Sequence, residues 1–138
     1  MYESSYHYLL MSNHLGFQKK VMAILKPLGL STGQPKVLDH LRYHNGASQK
    51  EIAAGCHIEA ASLTSVLSRM EEKGMIERRM LNGNRRSLYV FLTDMGKELQ
   101  KAVEREFDSI EKTAFERISE EERKAFMSTF FKIYENLS

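Results

Sequence analysis

Tryptophan is absent from this 138-residue chain, cysteine occurs once, at Cys56, and proline only twice. A single cysteine excludes an intrachain disulfide framework. Two prolines and eight glycines leave room for long helices with few breaks. No apolar run approaches the roughly 18–20 residues that cross a bilayer. The opening MYESSYHYLLMSNH has no basic start followed by an unbroken apolar stretch, so it does not read as a secretory signal, and a cytoplasmic protein is expected. Neither charge sign dominates: 20 Lys and Arg stand against 18 Asp and Glu, a formal net charge of +2. With 42% hydrophobic and 28% charged residues, the composition excludes disorder and collagen-like repeats and fits one ordinary globular unit.

What charge there is lies unevenly. Residues 1–47 carry a net +3, residues 48–92 a net +2 and residues 93–138 a net −3. The densest basic stretch holds Arg78, Arg79, Arg85 and Arg86, with no acid from Arg78 through Arg86. Such a cluster suits an anionic partner, although charge alone fits a solvated hairpin better.

Periodicity places six helices and a hairpin. A first helix over about residues 3–28 has Leu10, Phe17 and Ile24, and His14, Val21 and Leu28, recurring every seven residues as one apolar seam. The seam is longer than a small core needs, which points part of it at another chain; Pro27 and Gly29 end it. Ser31-Thr32-Gly33-Gln34 reads as a capping box for a second helix with Val37, Leu38 and Leu41 inward, stopped at Asn45-Gly46. Ser48-Gln49-Lys50-Glu51 caps a short third helix with Ile52 and Ala53 inward, broken at Gly55-Cys56. The fourth, with Glu59 as cap, has Leu63, Val66, Leu67 and Met70 on one face and Ala61, Ser62, Thr64, Ser65, Ser68 and Arg69 on the other; Gly74 ends it. The period then changes to two over Ile76–Met80 and Ser87–Leu92, joined through Leu81-Asn82-Gly83-Asn84, a strong hairpin signal. Thr93 caps a fifth helix to about Arg117, striped by Leu99, Val103, Phe107, Ile110 and Ala114. Ser119-Glu120-Glu121-Glu122 caps a sixth, striped by Phe126, Phe130, Ile133, Tyr134 and Leu137.

Two helices joined by a tight turn, the second slim and polar in front and apolar behind, form a helix-turn-helix. A helix enters the major groove best when its leading face is small. A hairpin with an arginine-bearing tip makes this a winged helix, whose tip suits a narrow minor groove. The competing reading is a winged helix that docks proteins and reads no DNA; the joint occurrence of slim helix face and wing arginines favours DNA.

Several runs resemble the MarR family of bacterial transcription regulators. They are Leu30-Ser31 with Gln34 and Val37-Leu38, Ser48-Gln49-Lys50-Glu51-Ile52-Ala53, Leu63-Thr64 through Arg69-Met70-Glu71-Glu72-Lys73-Gly74-Met75-Ile76-Glu77-Arg78, Asn84-Arg85-Arg86-Ser87, and Leu92-Thr93-Asp94-Met95-Gly96. The motif-bearing part covers about residues 30–99. The resemblance implies a homodimer with a winged helix-turn-helix in each subunit, regulating transcription at a pseudo-palindromic operator. Two departures stand out. Asn84 replaces the acid usual ahead of the wing arginine, here Arg86, and Ala60 stands where the recognition helix often starts with Arg.

Other chemistry is thinly represented. No Gly-rich phosphate loop, nucleophile elbow or Cys-x-x-Cys appears, so no enzyme and no cofactor are expected. His40 and His44 have a zinc-compatible i,i+4 spacing, but two histidines make half a site, with His14 or His7 as the third ligand to be found; no metal is expected. Cys56 has no Lys or Arg within five residues and reads as a small buried hydrophobe. Met11, Met22 and Tyr43 are candidates to line an effector pocket between arms and DNA-binding part.

The expected fold is therefore mainly α with a small β-hairpin wing. Residues 1–30 form an N-terminal dimerisation helix, 31–92 the winged helix-turn-helix, and 93–138 C-terminal dimerisation helices, in one cooperative unit. Expected DNA contacts are Ser48, Gln49, Ala61, Ser62, Thr64, Ser65, Arg69, Asn84, Arg85 and Arg86. Expected dimer contacts are Leu10, Phe17, Ile24, Phe126, Phe130, Ile133, Tyr134 and Leu137. Expected partners are double-stranded DNA, a second copy of the chain and a small apolar or aromatic effector.

Overall fold

Hydroxyl side chains start four of the helices. In the computed structural model, which describes residues 1–81, 83 and 87–138, Ser5 opens α1 (Tyr6–Leu25), Ser48 opens α3 (Gln49–Cys56), Thr93 opens α5 (Asp94–Ala114) and Ser119 opens α6 (Glu120–Leu137). Each hydroxyl accepts a first-turn backbone N–H, at 3.4, 3.1, 3.0 and 3.1 Å respectively. α6 also has three glutamates in its first turn, at the positive end of its dipole.

The remaining helices correct the expected boundaries. α2 (Gln34–Tyr43) is capped by Gly33 at φ 90°, not by Ser31. Half of the expected box forms: Gln34 Oε1 accepts from Ser31 N–H at 3.0 Å. Gln34 N–H, which the serine hydroxyl of the box would receive, donates instead to the Ser31 carbonyl at 3.1 Å. α3 continues through Gly55 and Cys56 and ends at His57, which takes the left-handed conformation at φ 54°. Gly55 stays helical, and the His40 ring from α2 occupies the space a Cβ would need, so the position suits a residue without a side chain. α4 (Ala60–Glu72) has Glu59 at its cap position, but the carboxylate accepts no capping hydrogen bond. α5 stops at Ala114, short of Arg117, which is itself left-handed at φ 64°.

β1 (Ile76–Arg79) and β2 (Tyr89–Leu92) pair antiparallel, with Ile76 opposite Leu92 and Arg79 opposite Tyr89. Both are shorter than the expected runs. The hairpin root is pinned to the stretch before α3 by Gly46 N–H to Val90 O (2.8 Å), Val90 N–H to Ala47 O (2.9 Å) and Gln49 N–H to Leu88 O (3.0 Å).

One core joins these elements. Val37, Leu38 and Leu41 of α2, Ile52 of α3, Leu63, Leu67 and Met70 of α4, Ile76 and Val90 of the hairpin, and Val103 of α5 are all buried. From α1 only Val21 and Leu25 are buried. The expected single seam therefore splits: Leu10, Phe17, Ile24 and Leu28 are exposed in the protomer. α6 buries none of its residues; Phe126, Phe130, Tyr134 and Leu137 are exposed and Ile133 is half-buried.

The end of α4 and the start of α5 meet at one corner. Gly74 turns the chain at φ 81°. Thr93 Oγ1 donates to Gly74 O at 2.5 Å and Thr93 N–H to Met75 O at 3.1 Å. Gly96, in the first turn of α5, lies against the Met75 carbonyl, where a Cβ would collide with backbone. Neither backbone segment yields as a flexible side chain would. Gly96→Ala is therefore expected to destabilise the protein by about 1–3 kcal/mol, as overpacking does; urea unfolding of the two proteins measures it.

Candidate nucleic-acid interface

α4 buries Leu63, Leu67 and Met70 and half-buries Val66. Ala61, Ser62, Thr64, Ser65 and Arg69 are exposed opposite them, and Ser68 is half-buried at their edge. The two faces fall as the i, i+3, i+4, i+7 spacing requires. Thr64 Oγ1 donates back to Ala60 O at 3.0 Å, so this hydroxyl is oriented along its own helix and keeps lone pairs outward. At the start of α3, Ser48 Oγ is engaged as a cap and Gln49 Oε1 accepts from Arg78 Nη1 at 3.4 Å. Asn84, Arg85 and Arg86 lie outside the described residues.

The basic stretch divides in a way its charge does not reveal. Arg78 reaches back from β1 to Glu71 on the last turn of α4. Its Nη2 and Nε donate to Glu71 Oε1 at 3.0 and 3.3 Å, and its backbone N–H to Glu71 Oε2 at 3.0 Å. These hydrogen bonds hold the Glu71 carboxyl below the usual carboxylate range. Nη2 also donates to Ser68 Oγ at 3.4 Å. Arg79 pairs with Glu77 at 2.8 Å and lies over the Phe91 ring at 4.4 Å. Counting Arg78 and Arg79 with the wing arginines as free positive surface thus needs correction: both carry carboxylate partners inside the chain. Composition could not show this, because Glu71 and Arg78 come together only after Gly74 folds the strand back on the helix. The spacing Glu-x-x-Gly-x-Ile-x-Arg was the available signal.

His40 and His44 stack with ring centroids 4.6 Å apart. Among the described residues no three His, Cys, Asp or Glu side chains gather as a metal site. Burial, and then His44, lower the His40 pKa, with Glu51 and Asp39 opposing. Cys56 is buried with its thiol donating to Lys36 O at 3.4 Å, and burial pushes its pKa up, as fits an inert packing thiol.

A cavity of about 380 Å³ opens between α2 and α5, with Leu41 and Leu92 beside Arg42, Lys97, Gln100 and Lys101. Met11, Met22 and Tyr43 do not line it. Met22 packs on the core instead, and the exposed Tyr43 ring lies 4.7 Å beneath the Arg42 guanidinium. Arg42 also bridges to Glu104 of α5 at 2.8 Å. No helix among the described residues is long and apolar enough to cross a membrane.

Comparison with known proteins agrees with this geometry. Residues 30–88 match the model of the MarR family. The Bacillus subtilis HTH-type transcriptional regulator YdgJ is 27% identical over 110 residues, covering 80% of this chain and 67% of that one. B. subtilis YwoH, another HTH-type transcriptional regulator, is 34% identical over 83 residues, 60% of this chain and 61% of its own. The chain spans about two thirds of the length of these curated relatives. These homologues are transcriptional regulators. Among solved structures, S. aureus MepR in complex with DNA superposes with a TM-score of 0.86 at 25% identity over 99% of both chains. A Listeria monocytogenes protein of the same fold, complexed with a 26mer DNA, reaches 0.91 at 19% identity, covering 97% of this chain and 89% of that one.

Two outcomes follow from the geometry. Ala at Ser62, Thr64 and Ser65 is expected to leave the thermal midpoint within a degree or two, since exposed substitutions cost within about 0.5 kcal/mol; a large drop would invert the assignment of faces. His40 resists protonation in the folded state, so the unfolded chain binds the proton first. Stability is then fully present above the ordinary imidazole value, about 6.5, and declines as pH falls through it towards the lowered folded value. Urea midpoints measured from pH 8 to 5 should show this decline, and His40→Gln should flatten it.

Proposed function

We propose that the chain is a regulator of the MarR family, whose model residues 30–88 match: a sequence-specific DNA-binding transcription regulator without catalytic role, acting in the cytoplasm as a homodimer. The observation that carries this reading is the α4 face: five small or basic residues exposed in front of the buried Leu63, Leu67 and Met70. A slim polar face of that kind enters a major groove and hydrogen-bonds base edges. Ala61, Ser62, Thr64, Ser65 and Arg69 supply base and phosphate contacts, Ser48 and Gln49 meet the backbone beside them, and Asn84, Arg85 and Arg86 supply the wing contacts. The DNA complexes known for S. aureus MepR and the Listeria monocytogenes protein support the same assignment.

The exposed apolar residues at the two chain ends supply the dimer. Leu10, Phe17 and Ile24 of α1 meet Phe126, Phe130, Ile133, Tyr134 and Leu137 of α6 across a two-fold axis. Residues 1–30 and 93–138 thus serve as arms to the DNA-binding residues 31–92, all within one cooperative unit. Two recognition helices then read half-sites about one helical turn, ~10 bp, apart in a pseudo-palindromic operator. Regulation is by repression, relieved when a small apolar or aromatic ligand binds between arms and DNA-binding part and favours another spacing.

Each phosphate contact by Lys or Arg releases counterions, so affinity for a duplex selected from random DNA is expected to fall by about 10²-fold or more between 50 and 200 mM salt. A salt-independent response, or failure to select any duplex, would favour a protein-docking winged helix. Sedimentation at micromolar concentration is expected to give the dimer mass; a monomer there removes the basis of the half-site spacing.

A further inference from the structure

Arg78 ties together the three elements that the DNA-binding reading uses. Its guanidinium, carried on β1 at the root of the wing, bonds Glu71 and Ser68 of α4 and Gln49 at the start of α3. Every nitrogen of the guanidinium has an acceptor within the chain, and the side chain retains 17% of its exposure. Ser68 lies one turn beyond Thr64, and Gln49 follows the cap of α3, so the partners border the surfaces that face DNA. A planar fork with directed donors can fix three elements at once; the compact ammonium of lysine has no such geometry. The Glu71 carboxylate retains 40% exposure, and a partly exposed ion pair of this kind adds little to folding. The consequence of the contact falls mainly on the relative placement of helix and wing.

We propose that Arg78, held by Glu71, is a positioning residue for DNA readout: it sets the register of the α4 face, the α3 start and the wing root, and does not itself contact phosphate. The inference rests on the DNA-binding reading above. It makes a prediction opposite in sign to simple electrostatics. Glu71 is a negative charge on the surface that would approach DNA, so removing it should tighten binding if charge alone mattered. If Glu71 holds Arg78 in place, removing it should weaken recognition.

The test compares a duplex selected from random DNA by the unaltered protein with a shuffled duplex of the same composition, across a salt series. Glu71→Gln and Arg78→Gln are each expected to bind the selected duplex about tenfold more weakly while binding the shuffled duplex within about twofold of the parent. The double variant is expected to lose no more than either single variant, because both break one contact. The slope of log affinity against log salt should be unchanged in Arg78→Gln. A slope reduced by about one unit would mark Arg78 as a phosphate contact and overturn the proposal. So would tighter binding by Glu71→Gln, or equal loss on both duplexes accompanied by a falling thermal midpoint. Arg78→Lys, which keeps the charge and loses the fork, should behave as Arg78→Gln does on the selected duplex; full retention there overturns the positioning role. If the unaltered protein binds neither duplex, the DNA-binding reading itself fails, which the comparison among variants cannot mimic.

Discussion

The corner at Gly74 and Met75 is the constraint on which the remaining arrangement depends. There the end of α4, the start of β1 and the first turn of α5 are held by two hydrogen bonds from Thr93 and by the contact of Gly96 with the Met75 carbonyl. Thr93 is simultaneously the cap of α5, its Oγ1 accepting from Gly96 N–H at 3.0 Å. One side chain thus starts the long helix and fastens it to the recognition helix. Because the contacts are to backbone, this junction has little freedom to slide.

Around that corner several positive charges are already engaged by partners within the chain. Arg42 serves Glu104 and the Tyr43 ring, Lys73 donates to Gly29 O at 2.9 Å, and Arg78 and Arg79 serve Glu71, Glu77 and Phe91. Lys50 and Arg69 stay exposed on α3 and α4. The modest net charge therefore understates the role of arginine, which here organises the scaffold as well as its surface. Arginine suits both tasks because its stem packs while its fork bonds at a fixed geometry.

Much of this was legible in the residues. The stripe Leu63, Leu67, Met70 identified the buried face of α4, and Ser48, Thr93 and Ser119 marked helix starts, because both signals are local: they depend on neighbours within one or two turns. The fold class followed from the order of those local elements, and the resemblance to the MarR family from the motif runs they carry. Signals set by tertiary contact were not legible. Gly55 looked like a break but is helical, and what the position answers to is the His40 ring, fifteen positions earlier, which fills the space of a side chain there. Arg78 looked like free charge because its acceptors sit on two other helices. The seven-residue repeat could not distinguish Val21, which joins the core, from Leu28, which does not; α1 ends at Leu25, and Leu28 falls in the 3-10 turn that follows, off the helical period.

The corner also makes the molecule a lever of unequal arms. α5, at 21 residues, is about 30 Å long by the rise of an α-helix, and α4, at 13, about 20 Å. A sideways displacement of about 1 Å at the far end of α5 is a rotation of about 2° at the pivot, and moves the free end of α4 by roughly two thirds of an ångström. The far end of the arm thus trades stroke for force: a displacement there moves the free end of α4 by less, with correspondingly greater force. A push applied near the pivot, where Asp94, Lys97 and Gln100 border the α2–α5 cavity, needs a much smaller stroke to turn α4 through the same angle.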